Sequence, residues 1–74
     1  MQLGQKIREL RVKKSYSLDD MADLLNMSIS NYSSFEQGKI NINFSKLEEI
    51  CKVLETDVFE ILNSLENTYT YDEM

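Results

Sequence analysis

An all-α fold with five helices is what this 74-residue sequence predicts, on three observations. Proline is absent, and the two glycines, Gly4 and Gly38, are the only strong breakers. Apolar residues recur at i, i+3, i+4 and i+7 in successive segments, the period of one face of a helix. The one segment that alternates polar and apolar, Lys39-Ile40-Asn41-Ile42-Asn43, has no second strand pattern to pair with and reads as a loop.

Helix 1 is expected from about Gln2 to Lys14, with Leu3, Ile7 and Leu10 on its buried stripe and basic residues elsewhere. Ser17 caps helix 2, about Leu18 to Leu25, with Asp20 three positions on to complete a capping box. Asn26 stands where a left-handed residue is needed, a conformation asparagine tolerates. Ser28 caps helix 3, Tyr32 and Phe35 supply its apolar contacts, and Gly38 stops it. Asn43 caps helix 4, where Leu47, Ile50, Cys51 and Leu54 share a face. Asp57, with Glu60, caps helix 5, where Val58, Ile61, Leu62 and Leu65 do the same. Residues 66–74 carry no stripe and form an acidic tail, so the chain divides into a domain over 1–65 and a tail over 66–74.

Composition bounds the chemistry. The length allows one small domain and leaves no room for a second. No apolar run approaches the roughly 20 residues of a membrane span, and the N-terminus lacks a secretory signal. A single cysteine and no histidine point to the reducing cytoplasm and away from disulfides, a structural zinc site or histidine acid–base catalysis. The carboxylate pairs Asp19-Asp20 and Glu48-Glu49 are adjacent on helices, so neither pair converges on one point. Neither an enzyme, a cofactor, a metal nor a small-molecule ligand is expected.

The net charge of −5 is unevenly spread. Residues 1–14 carry +4, 15–37 carry −4, 38–52 carry +1 and 53–74 carry −6. Two readings stand for the basic face of helix 1: a solvated surface, or neighbours of a nucleic-acid backbone. The tail reads as a solvated end, with Tyr69 and Tyr71 suited to packing on a partner subunit.

The segment Ser17–Lys39 carries the functional signal. A small residue, Ala22, stands where two helices cross closely. Asn26 follows four positions later at the turn, and Met21, Leu25, Met27, Tyr32 and Phe35 hold the second helix across the first. This spacing resembles the helix-turn-helix of the lambda repressor and Cro type, the Xre-like family. The resemblance runs from Leu3 to about Leu62. It is carried by Gly4-Gln5-Lys6-Ile7-Arg8-Glu9-Leu10-Arg11, by Ser17-Leu18-Asp19-Asp20-Met21-Ala22, and by Ser28-Ile29-Ser30-Asn31-Tyr32-Ser33-Ser34-Phe35-Glu36-Gln37-Gly38-Lys39.

The resemblance implies a five-helix, lambda-repressor-like DNA-binding domain whose helix 3 enters the major groove of double-stranded DNA. By matching position, Ile29, Ser30, Asn31, Ser33 and Ser34 would meet base edges. Ser17, Ser28, Gln37, Lys39, Asn41 and Asn43 would meet phosphates. Arg11 and Glu36 resemble the family's internal ion pair between helix 1 and the end of helix 3. The function implied is a sequence-specific transcriptional regulator, a repressor, acting in the cytoplasm as a homodimer through helix 5 and the tail. The chain departs from the family pattern at Leu18, where glutamine is common, at Ile42, where proline is common, and at Glu55, where glycine is common. Helix 3 has no Arg or Lys, and helix 2 is acidic. Those departures favour the alternative, a protein-interaction module such as an antitoxin-like or anti-repressor component.

Overall fold

In the computed structural model, residues 3–63 are described. Four helices run in order: α1 (Leu3–Lys13), α2 (Leu18–Leu24), α3 (Ile29–Glu36) and α4 (Phe44–Val53). A fifth, α5, occupies residues 58–63. The expected Gln2 start of helix 1, Leu65 of the helix 5 stripe and the tail over 66–74 lie outside the described residues. Residues 39–43 contain no strand. Helices 1 and 2 each stop one residue earlier than their stripes suggest, because Lys14 and Leu25 already belong to the turns that follow.

The helix starts follow the sequence. Ser17 Oγ accepts from Asp20 N, while Asp20 Oδ2 accepts from Ser17 N, closing the capping box. Ser28 Oγ accepts from Asn31 N at 3.0 Å, and Asn43 Oδ1 accepts from Lys46 N at 2.8 Å. Asp57 Oδ1 accepts from Phe59 N at 2.9 Å at the start of α5. Apart from the one donated by the cap residue Ser17 itself, each bond satisfies a first-turn N–H that has no partner inside its helix.

The helix ends share one device, of which the sequence announced only half. After each of the first four helices a residue takes a left-handed φ: Ser15 (64°), Asn26 (58°), Gly38 (80°) and Glu55 (57°). Around each, two backbone bonds close the Schellman pattern. They are Tyr16 N to Arg11 O with Ser15 N to Val12 O, Met27 N to Ala22 O with Asn26 N to Asp23 O, Lys39 N to Ser34 O with Gly38 N to Phe35 O, and Thr56 N to Cys51 O with Glu55 N to Lys52 O. Asn26 and Gly38 suit that conformation. Ser15 and Glu55 do not, and Glu55 is joined to Lys14 by an ion pair that ties the α1 turn to the α4 turn.

One core holds these helices: Ile7, Met21, Ala22, Leu25, Tyr32, Phe35, Leu47, Ile50, Cys51, Leu54 and Ile61. Cys51 packs there as the helix 4 stripe predicts, and burial pushes its thiol pKa up. Tyr32 and Phe35 stack with tilted rings, centroids 6.1 Å apart. The Tyr32 hydroxyl is buried, with no hydrogen-bond partner among the described residues. The phenol fills the centre of the domain, and that burial drives its pKa far above the ordinary value.

Candidate nucleic-acid interface

The geometry is assembled on α2, the turn after it, and α3. Ala22 is almost wholly buried, and its lack of bulk lets α3 cross α2 closely. Asn26 at φ 58° then reverses the chain within three residues, and Ser28 restarts it as α3. The three residues after the cap stand free: Ile29 is 49% exposed, and Ser30 and Asn31 are exposed beside it.

Further along α3, Ser33 and Ser34 are half-buried. Ser33 Oγ accepts from Gln37 Nε2 at 2.9 Å, so Gln37 is held along the helix rather than left to swing. Of the residues assigned to base edges by resemblance, Ile29, Ser30 and Asn31 therefore form a contiguous exposed turn. Ser33 and Ser34 lie deeper, at the flank where α3 meets its neighbours.

The far end of α3 is anchored. Arg11 Nε donates to Glu36 Oε2 at 2.7 Å and Nη2 donates to Oε1 at 3.1 Å, a two-pronged pair that is nearly buried on both sides. A third donor, Arg11 Nη1, reaches Tyr16 O at 2.8 Å. One guanidinium thus joins α1, the turn after α1, and α3. The bond to Glu36 raises the Arg11 pKa, so its charge is fixed at any physiological pH.

The residues assigned to phosphates fall into two sets. Ser17, Ser28 and Asn43 are helix caps. Their cap bonds use acceptor lone pairs, which leaves the two hydroxyl hydrogens and the Asn43 amide hydrogens free to donate. Gln37, Lys39 and Asn41 are exposed around the end of α3 and the segment after it. Lys46, which the sequence did not single out, donates from Nζ to Leu25 O at 2.8 Å and braces α4 against the turn between α2 and α3.

The local field is mixed. α3 carries no cation, and Asp19, Asp20 and Asp23 are exposed on α2. Lys39 and Arg8 have no ion-pair partner among the described residues. Arg8 opens onto a cleft of about 490 Å³ between α1 and α3. Among the described residues no three His, Cys, Asp or Glu side chains gather as metal ligands would, and no helix is long and apolar enough to cross a membrane.

A family model described as helix-turn-helix matches residues 7–61. The chain is 33% identical over 67 residues to an HTH-type transcriptional regulator, SinR, of Bacillus licheniformis. That match covers 89% of this chain and 60% of the relative. It is 31% identical over 67 residues to SinR of Bacillus subtilis, with the same coverage. A third relative, the SPbeta prophage-derived HTH-type transcriptional regulator YonR of Bacillus subtilis, is 25% identical over 71 residues, covering 96% of this chain and 66% of that one. The chain thus spans about two thirds or less of the length of these relatives. No solved structure matches it.

Proposed function

The chain belongs to the helix-turn-helix family, and from that premise we propose that it is a DNA-binding transcriptional regulator of the cytoplasm that reads double-stranded DNA with α3. The observation that carries this is the exposed first turn Ile29–Ser30–Asn31, set beyond a fixed reversal and anchored at its far end by Arg11. In the major groove Asn31 can pair with the two adjacent edge groups of adenine, Ser30 and Ser34 can accept or donate, and Ile29 can cover a thymine methyl. The hydroxyls of Ser17 and Ser28 and the side chains of Gln37, Lys39, Asn41 and Asn43 supply the phosphate contacts that set the register.

A single domain of this size reads only a few base pairs, so specificity calls for two copies on a palindromic site. The surface for that pairing is α5. Phe59 is 75% exposed, and Val58 and Leu62 are half-buried beside it. A repressor needs no more than this, because a dimer seated on a promoter blocks it by occupancy alone.

The test is a gel shift on the DNA upstream of the protein's own gene, at two salt concentrations, with an unrelated duplex as competitor. Retention of a specific complex supports the reading. The acidic α2 and the uncharged α3 favour a second reading, a protein-interaction module, and absence of any complex at low salt gives that reading the lead.

A further inference from the structure

In the cleft between α1 and α3, Arg8 has no assigned contact. Its walls are Gln5 and Arg8 of α1, Leu18 at the start of α2, Ser33 of α3 and Gln37 at its C-cap, over the buried Arg11–Glu36 pair. The pair at its base is internally neutralised, since both guanidinium edges are used, on Glu36 and on Tyr16 O. Among the described residues Arg8 is therefore the unopposed charge of the cleft, a local +1 in a chain of net −5.

Position on α3 says what that charge meets. Ile29, Ser33 and Gln37 are spaced i, i+4 and i+8, one stripe along the helix. The stripe starts at the exposed turn and ends at the cleft. Eight residues of helix advance about 12 Å, and the major groove is about 12 Å wide. With the first turn against base edges, the Gln37 end reaches the wall of the groove, where the phosphates stand. Gln37 is already held by Ser33 and keeps one amide hydrogen free.

We propose that Arg8 and Gln37 together seat a phosphodiester of the bound duplex, so that helix 1 is part of the DNA interface and Arg8 is a cationic phosphate contact beside Lys39. This rests on the DNA-binding reading above. It also adds one released counterion to the one that Lys39 supplies, and so steepens the salt dependence of binding.

The experiment is fluorescence anisotropy on the upstream duplex and on an unrelated duplex from 50 to 200 mM salt. The proteins are wild type, Arg8→Gln, Arg8→Lys and, as a control, Lys13→Gln, an exposed cation outside the cleft. Arg8→Gln should weaken binding about tenfold, the scale of one hydrogen bond to a charged group, by the same factor on both duplexes. Its slope of log K against log salt should be shallower by about 0.9. Arg8→Lys should restore the slope, Lys13→Gln should leave it near wild type, and all melting temperatures should agree. Wild-type affinity and slope in Arg8→Gln would overturn the proposal while leaving the DNA reading intact. Equal losses in Arg8→Gln and Lys13→Gln would overturn it too, as a diffuse charge effect. A wild-type protein that binds neither duplex would overturn both.

Discussion

Gly4 in α1 lies directly against the backbone of Glu36 in α3: a Cβ built on Gly4 would stand 2.7 Å from the Glu36 carbonyl oxygen and 2.9 Å from its carbon, and closer still to the carbonyl of Phe35. The obstacle is backbone in a capped helix end, which cannot yield as a side chain could. Glycine is thus fixed at this position by helix-to-helix distance, although it weakens α1 by about 0.5–1 kcal/mol relative to alanine.

Gly4→Ala should therefore destabilise the domain by about 1–3 kcal/mol, the usual range for forced overpacking. Urea denaturation gives the sign. A more stable variant would mean that the helix-propensity gain had won and that α1 and α3 are not in contact.

Arg11→Ala should cost about 3–5 kcal/mol, because it strands the Glu36 carboxylate without a partner in the interior. The double variant Arg11→Met with Glu36→Leu should recover most of that loss. A melting temperature unchanged in Arg11→Ala would remove the ion pair from any role in stability.

Ser15 and Glu55 hold left-handed φ values that cost an L-residue roughly 1–2 kcal/mol. Ser15→Gly should raise stability by up to about 1 kcal/mol. Glu55→Gly should gain less, since it also removes the ion pair with Lys14. Asn26→Gly should change little, because asparagine already tolerates this region. Thermal melts of the three variants test the order.

The hydrogen bond from Lys14 holds the Glu55 carboxyl below the ordinary glutamate value of 4.5. A carboxyl depressed in the folded state adds stability above its unfolded pKa, and that contribution is lost as pH falls through the folded value. Lys14→Gln should accordingly leave stability less sensitive to pH below about 4.5 than it is in the wild type. Melts between pH 3 and pH 6 that run parallel for the two proteins would rule out the linkage.

Two substitutions separate the proposed contacts on DNA. Asn31→Ala should weaken binding to the true site by about 1–3 kcal/mol and leave non-specific binding alone. Lys39→Ala should weaken every sequence about equally. Affinity unchanged in both would mean that α3 does not read DNA.

Local chemistry explains which features the sequence disclosed. Caps are short-range, and Ser17, Ser28, Asn43 and Asp57 all stand where their side chains bond the backbone two or three residues on. Asn26 and Gly38 are residues whose types announce positive φ. Ser15 and Glu55 take the same conformation, and neither residue type announces it. The Lys46 bond to Leu25 O spans 21 residues, and no local pattern encodes it. The same holds for Arg8. Its charge is plain in the sequence, but only the approach of α1 to α3 puts it beside Gln37.

The four repeated helix stops bear on how quickly the chain reaches its shape. Every reversal from α1 through to α5 is closed by backbone bonds between residues three and five apart. Each can therefore form before any distant contact exists. Helical domains built on such near-neighbour contacts fold in microseconds to milliseconds. A sequence without proline has no prolyl isomerisation to wait for. Refolding from urea should run as a single fast phase, complete within a small fraction of the time taken to synthesise the chain.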